Sequence, residues 1–341
     1  MTTVALDALG AERGPEAVAE AARAVAKEGI GLRVFGREAE LAGLDTIEGV
    51  EVIATEDAIT NDDEPVAAVR SRPGASVVMA AADVAEARSE ALVSPGPTGA
   101  TMTAALFAIK RLHGVHRPAL AAQVPMPGSP VLFLDCGANV EVRPQHLVQF
   151  AYLGAAFSEA VLGVESPRVG LLSVGEEQSK GTPDVVEALA GLTDAAGLNF
   201  IGNVEGTDLA SGVADVIVTD GFTGNVALKL MEGTAKAVAG AVRDAARSNP
   251  LAAAGGLMLR PALGRLRGQL DPDTTGGAIL LGLRSVAIVG HGSAGAAGIA
   301  NAIRLADSAV RESAVERTAA ALEAGGATRK ALRPSEPSAR A

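Results

Sequence analysis

Short runs of β-branched and aliphatic residues recur along the chain, each followed by a turn and then by apolar positions at helical spacing. The runs predict strands at Thr3–Leu6, Leu32–Gly36, Val50–Ile53, Ala91–Ser94, Val131–Leu134, Val169–Val174, Asn199–Val204, Val216–Thr219 and Val286–Val289. Helical spacing fills Pro15–Glu28, Thr98–Leu112, Pro144–Leu162, Pro183–Ala195, Asn225–Ala246 and Ala296–Leu322. Several strands are apolar throughout rather than alternating, as expected when both faces are covered. This alternation of strand and helix predicts an α/β fold of three layers, α/β/α, around a largely parallel sheet. Ser248–Asp273 breaks the alternation and is expected to protrude. No linker rich in Pro, Ser or charge divides residues 1–324, so they are expected to form one domain. From Gly325 onward, GGATRKALRPSEPSARA has few large apolar residues and reads as a disordered tail over 325–341.

Composition narrows the class. Hydrophobic residues make up 48% of 341 residues and aromatics only 2%, so the core must be built from Ala, Val, Leu and Ile. A net charge of −11 argues against nucleic acid as a main partner, because backbone phosphates are bound by clustered Lys and Arg. Cys136 is the only cysteine, so no disulfide can form within the chain. The opening MTTVALDALG does not read as a leader, and the apolar stretch Gly276–Val289 is interrupted by Arg284 and too short to span a bilayer. A cytoplasmic globular protein is expected.

Chemistry is concentrated where strands end. Asp7–Gly10, Ser94–Gly99, Asp135–Asn139, Gly175–Gly181, Asp220–Gly224 and His291–Gly295 each follow an apolar strand, and most lead into a helix. In an open parallel sheet such turns gather at the carboxyl edge, where helix N-termini offer unpaired N–H groups and Gly allows close backbone approach. Any one turn reads as ordinary capping; six together, with Asp, Asn, Glu and Lys among them, point to an anion-binding active site. Familiar motifs fail on context. Gly290–Gly295 fits GxGxxG but has no following strand to carry a ribose-binding carboxylate, Lys180 follows a glycine-poor GEEQS rather than a phosphate loop, and there is no GxSxG. His113 and His116 lack the further ligands of a metal site.

The runs LDCGAN (Leu134–Asn139), VGEEQSKG (Val174–Gly181), GNVEG (Gly202–Gly206) and TDGFTGNVALK (Thr219–Lys229) resemble the acyl-acyl carrier protein:phosphate acyltransferase family, PlsX. HRPAL (His116–Leu120), GGAILLG (Gly276–Gly282) and HGSAG (His291–Gly295) add to it, in the family's order from Asp7 to about residue 310. The resemblance implies a fold similar to phosphotransacetylases and isocitrate dehydrogenases, and transfer of a long-chain acyl group from acyl carrier protein to inorganic phosphate. It implies no metal and no cofactor, a homodimer, and peripheral contact with the inner face of the membrane. Its catalytic candidates fall on Lys180, which would neutralise phosphate and developing charge, and on Asn225, which would donate from its amide. Asp7, Thr98, Gly99, Asn139, Glu176, Asp220, Thr223, Gly224 and His291 would line the same crevice, with Thr223 and Gly224 as donors at a helix start. On the residues alone, Lys180 is a solvated lysine and Asn225 an N-cap. The chain departs from the family at SPGPTGA (Ser94–Ala100), where SAGNTGA is usual: an amide is lost and two prolines stiffen the turn.

The protruding segment carries Leu251, Leu257, Met258 and Leu259 close to Arg260, Arg265 and Arg267. An apolar tip with basic flanks suits an anionic bilayer or an acidic carrier protein; the plainer reading is an antiparallel helical pair. Two rival functions remain open: a phosphotransacetylase-like enzyme using acyl-coenzyme A, and a non-catalytic scaffold binding carrier protein or membrane.

Overall fold

A computed structural model describes residues 1–125, 130–269 and 272–332, and at 265–267, 269 and 272 the backbone alone. Its strands are β1 (Thr3–Asp7), β2 (Gly31–Gly36), β3 (Val50–Ala54), β4 (Ala91–Ser94), β5 (Ala119–Val124), β6 (Val131–Leu134), β7 (Arg168–Leu172), β8 (Asn199–Val204), β9 (Val216–Val218), β10 (Ala278–Leu281) and β11 (Val286–Val289). Its helices are α1 (Pro15–Ala26), α2 (Pro65–Ser71), α3 (Ser76–Ala85), α4 (Thr98–Ala108), α5 (Pro144–Val161), α6 (Pro183–Thr193), α7 (Gly221–Arg247), α8 (Pro250–Gln269), α9 (Ala296–Arg311) and α10 (Ala314–Ala324). All the strands join one sheet in the order β3-β2-β1-β4-β11-β10-β5-β6-β9-β7-β8.

The nine predicted strands are present. The pattern misses β5 and β10: ALAAQV is rich in alanine, a poor strand former, and AILL merges with the apolar run that continues into β11. These two strands decide the topology. β10 pairs antiparallel with β11 and with β5, and β5 pairs antiparallel with β6. The parallel block β3-β2-β1-β4-β11 therefore runs one way and the parallel block β6-β9-β7-β8 the other. The glycine-rich turns consequently do not share one carboxyl edge, as the alternation predicts. They leave from two blocks of opposite direction.

Strand residues alternate between two buried faces. Val4, Leu6, Val93, Leu132 and Leu134 pack with α1, α5, α6, α9 and α10 on one side. Ala5 and Leu92 pack with α2, α3 and α4 on the other, and Val131 and Phe133 with Leu209 and the start of α7. Proline occupies the first turn of α1, α2, α5 and α6, where its missing N–H costs no helical bond. The long C-terminal helical pattern is two helices, because Ser313 adopts a left-handed conformation (φ 52°) between α9 and α10.

Beyond Met231 α7 leaves the body: Ala227, Leu228 and Met231 still pack against the core, but only Gly221 and Gly224 are fully buried in this helix. With α8 it forms a helical pair, in which Gly256 approaches Ala246 so closely that a Cβ there would sit 2.9 Å from the alanine methyl. Leu251, Leu257, Met258 and Leu259 are exposed, Met258 by 84%, so they do not serve the packing of this chain. The side chains of Arg265 and Arg267 lie outside the described residues, as do residues 333–341 of the expected tail. Residues 325–332 are packed rather than free: Ala327 is buried, Gln149 donates to its carbonyl at 2.8 Å, and the Arg329 N–H meets the Gly114 carbonyl at 2.6 Å. Small residues suffice there because Gly325 lies directly against the Tyr152 ring.

Candidate active site

The first cluster forms at the end of β1, β4 and β11. Asp7 ends β1 in full burial, and its carboxylate accepts from Ser76 Oγ at 2.6 Å, Ser94 Oγ at 2.7 Å and the Gly10 N–H at 3.3 Å. Thr101 Oγ1 extends the network to Ser94 at 2.9 Å. Burial pushes the Asp7 carboxyl above the usual aspartate range, and the two serine hydroxyls pull against that rise. Gly10 and Gly96 touch through their backbones: a Cβ on Gly10 would stand 2.5 Å from Gly96 Cα, which admits no side chain. The β11–α9 turn joins through Glu12, whose N–H meets the Gly292 carbonyl at 3.2 Å, and through Arg13, whose Nε donates to the Ser293 carbonyl at 2.8 Å.

Two helices begin here, α4 after Pro97 and α9 after Gly295, and neither receives a side-chain cap. Their first N–H groups are an anion-binding feature. Thr98 is exposed at the start of α4 and Gly99 follows it, held against the Pro65 ring. His291 is exposed, with Nδ1 2.9 Å from Ser293 Oγ. Asp7 does not line a crevice as its position at a strand end suggests. Its oxygens are turned inward and hold the turns that do.

The second cluster forms at the end of β6, β7 and β9. Asp135 is buried and accepts the N–H groups of Leu120 (3.0 Å), Gly137 (3.2 Å), Ala138 (2.9 Å) and Asn139 (2.6 Å). Burial raises its pKa as it does for Asp7, opposed first by the Ala138 N–H and the Asn139 amide. Asn139 is spent on architecture too, its amide donating to Pro118 O and Asp135 Oδ2 at 2.8 Å each. Gly224 lies directly on the Asp135 carbonyl and Gly221 on the Asn139 backbone, so the β6 and β9 turns interlock at two glycines. Cys136 is buried within this turn and burial pushes its thiol pKa up, which leaves it unreactive.

The helix after β9 starts earlier than its apolar spacing predicts, and this reassigns the donors. Asp220 is the N-cap, accepting the Thr223 N–H at 2.8 Å, and the Gly224 N–H is taken by the Asp220 carbonyl at 2.9 Å. Thr223 and Gly224 therefore offer no free N–H group. Asn225 is not the N-cap. It stands half-buried in the first turns of α7 facing Gly137, and its amide makes no hydrogen bond to the described residues. Beside this turn, at the end of the adjacent strand β7, run the residues 175–181. Lys180 and Glu176 are exposed there. Ser173 Oγ donates to the Lys180 carbonyl at 3.0 Å, and Asn203 Nδ2 to the Glu177 carbonyl at 3.1 Å, so the loop is fixed while its charged groups stay in solvent.

The predicted residues thus divide. Asp7, Thr98, Gly99 and His291 belong to the first cluster; Asn139, Asp220, Thr223, Gly224 and Asn225 belong to the second, with Glu176 and Lys180 on its flank. The helical pair connects them, because α7 rises from the second cluster and the chain after α8 returns to the first. There Asn301 Nδ2 donates to the Asp273 carbonyl at 2.8 Å. The groups that hold both clusters are Ser76, Ser94 and Asp135: sequence patterns place Ser94 and Asp135 at the heads of two turns without giving either a role, and they pass over Ser76.

The architecture is that of the phosphotransacetylases: the phosphotransacetylase from Streptococcus pyogenes shares it with a TM-score of 0.61, over 92% of this chain and 94% of that one, at 19% identity. Residues 2–317 match the family model described as fatty acid synthesis protein. The chain is 45% identical over 310 residues to the phosphate acyltransferase of Elusimicrobium minutum, covering 89% of this chain and 91% of that one. With the phosphate acyltransferase of a Geobacillus species the identity is 43% over 324 residues, covering 94% and 98%. The chain belongs to this family of phosphate acyltransferases, and it is an acyltransferase.

Proposed function

We propose that the protein transfers a long-chain acyl group from acyl-acyl carrier protein to inorganic phosphate, and that the acyl phosphate feeds phospholipid synthesis through phosphatidic acid. The observation that carries this reading is the unpartnered Asn225 amide at the start of α7, beside the turn that presents Lys180. A phosphate oxygen attacks the thioester carbonyl and gives up its O–H proton, the carbonyl oxygen becomes an oxyanion, and the tetrahedral intermediate collapses with cleavage of the C–S bond, the carrier thiolate leaving and taking up that proton. Lys180 neutralises phosphate and the developing charge, while the Asn225 amide donates to the oxyanion. The uncapped starts of α4 and α9, with His291, supply a second place for anionic groups. Phosphate itself is the nucleophile, so no side chain is acylated.

The test is phosphate-dependent release of carrier protein from palmitoyl-carrier protein. Lys180→Ala should lower kcat by about a hundredfold or more, the scale of losing one preorganised charge-stabilising donor. Equal rates would remove Lys180 from the mechanism, and a trapped acyl-enzyme would remove direct attack. The shared architecture with phosphotransacetylases favours a second reading, in which the donor is a coenzyme A thioester. Side-by-side rates with the two donors decide between them.

The helical pair supports two further parts of this reading. The exposed apolar side chains Phe222, Val226, Leu230, Val238 and Val242 of α7 suit a homodimer contact, and Leu251, Leu257, Met258 and Leu259 suit peripheral contact with the inner face of the membrane from the cytoplasm. Among the described residues no helix is long and apolar enough to cross a bilayer. Leu257→Glu should reduce co-sedimentation with anionic vesicles; unchanged binding removes that tip.

A further inference from the structure

The chain carries a net charge of −11, yet one part of its surface is strongly basic. Four segments meet beside the second cluster: 109–119, 139–147, 282–287 and 325–332. They carry Lys110, Arg111, Arg117, Arg143, Arg284, Arg329 and Lys330, all exposed, against one carboxylate, Glu141. None of the seven cations forms an ion pair with the described residues, whereas Arg33, Arg72, Arg88, Arg168 and Arg304 elsewhere all do.

The cations are held together by the backbone. Arg284 N–H meets the Lys110 carbonyl at 3.1 Å and its Nε the Arg111 carbonyl at 3.2 Å, while the Arg111 guanidinium reaches the His116 carbonyl. Gln149 is the buried peg beneath them. Its Oε1 accepts the His116 N–H at 2.8 Å, and its Nε2 donates to Gly114 and Ala327, both at 2.8 Å, which fixes the segment bearing Arg329 and Lys330 against the 110–117 turn. Arg117 and Arg143 flank His146, which burial and these two charges keep neutral. This face borders the reaction turns directly, since Pro118, next to Arg117, accepts from the Asn139 amide at 2.8 Å.

We propose that this basic face is the docking surface for an acidic protein that carries the acyl group to the second cluster. The inference rests on the reading that the acyl donor is protein-borne. Charge complementarity selects the partner: like-signed repulsion over the acidic part of the surface directs an acidic body to a region of opposite sign, and this basic region is the one that borders the second cluster. A lipid surface fits less well. The segments bearing these cations expose no large apolar side chain apart from Val140 beside Glu141, whereas the apolar side chains suited to a bilayer stand on α8.

The test is a steady-state comparison using the full chain and the charge-reversal triple variant Lys110→Glu, Arg117→Glu, Arg329→Glu. With acyl-carrier protein as donor at low ionic strength, KM should rise at least about tenfold while kcat at saturation stays within about twofold, because steering acts on encounter. Added salt should raise the wild-type KM and leave that of the variant flat. A charge-conserving triple (Lys110→Arg, Arg117→Lys, Arg329→Lys) should retain the wild-type KM. An unchanged KM in the reversal variant overturns the proposal. So does an equal rise with an acyl-pantetheine donor, which has neither a protein nor a charge to steer, since the damage would then lie in the site. Loss of binding to phosphatidylglycerol vesicles with an unchanged carrier KM would assign the face to membrane instead. Should the wild type fail to use a carrier-borne donor, the donor assignment falls and this inference with it; failure of the variant comparison alone leaves the donor assignment standing.

Discussion

The two turn clusters solve one problem, anchoring glycine-rich loops at the end of a strand, with the same residue and different partners. At β1 the buried Asp7 is met chiefly by the hydroxyls of Ser76 and Ser94, and at β6 the buried Asp135 by four backbone N–H groups and one amide. A hydroxyl can rotate and exchange donor for acceptor, but a backbone N–H cannot. The Asp135 cluster is therefore the more rigid, and it is the one that carries Asn225 and adjoins Lys180. The Asp7 cluster, whose hydroxyl partners can rotate, should tolerate change more readily.

The largest effect that would break this comparison is expected from Gly224→Ala. Its Cβ would collide with the Asp135 carbonyl, backbone against backbone, so thermal denaturation should report a loss of about 3 kcal/mol. A variant as stable as wild type would mean that the two turns do not interlock. Asp135→Asn comes next. An amide NH2 placed among N–H donors leaves donors facing donors, at a cost of about 2 kcal/mol by denaturant titration. Asp7→Asn should cost only about 1 kcal/mol, because the serine hydroxyls can turn to donate or accept. Equal costs for the two aspartates would erase the distinction drawn here.

Acid sharpens the comparison with smaller effects. Burial raises the pKa of Asp7, so the folded chain holds that proton more tightly than the unfolded chain and ionisation weakens the fold. That penalty is absent below the unfolded value of 3.8 and complete above the folded one, so stability from this group falls as pH rises through the window. The cost of Asp7→Asn should thus be greater near pH 4 than at neutrality. His146, beside the second cluster, has the opposite sign. Its pKa is lowered to about 4 from 6.5 by burial and by Arg117, so its contribution is intact above 6.5 and lost as pH falls towards 4. His146→Gln should flatten stability over that interval, and an unaltered slope would show that His146 titrates as it does in the unfolded chain.

Much of this was legible before any fold was known. Nine of the strands could be read because apolar runs of strand length are bounded by glycine and aspartate, and the helices starting at Pro15, Thr98, Pro144 and Pro183 begin where the pattern places them. Helices α2 and α3 were passed over because they are short and follow one another without a strand between. The start of α7 was misplaced because Gly221, Phe222, Thr223 and Gly224 do not read as helix. The N-cap at Asp220 and contact with Asp135 and Asn139 outweigh their poor propensity.

The sequence by itself determined the fold class, the inventory of turns and the family, because periodicity and motif are properties of neighbours along the chain. Only the tertiary structure decided that the turns form two clusters, since that follows from three antiparallel pairings involving β5 and β10, whose short alanine-rich or leucine-rich runs carry no directional signal. It also decided which polar residues are free to act. Asp7, Asn139 and Thr223 have the right chemistry for a crevice, yet their groups are taken up by partners up to 87 residues away. Lys180 and the Asn225 amide remain available, because what a polar group can do depends on the partners that folding brings to it.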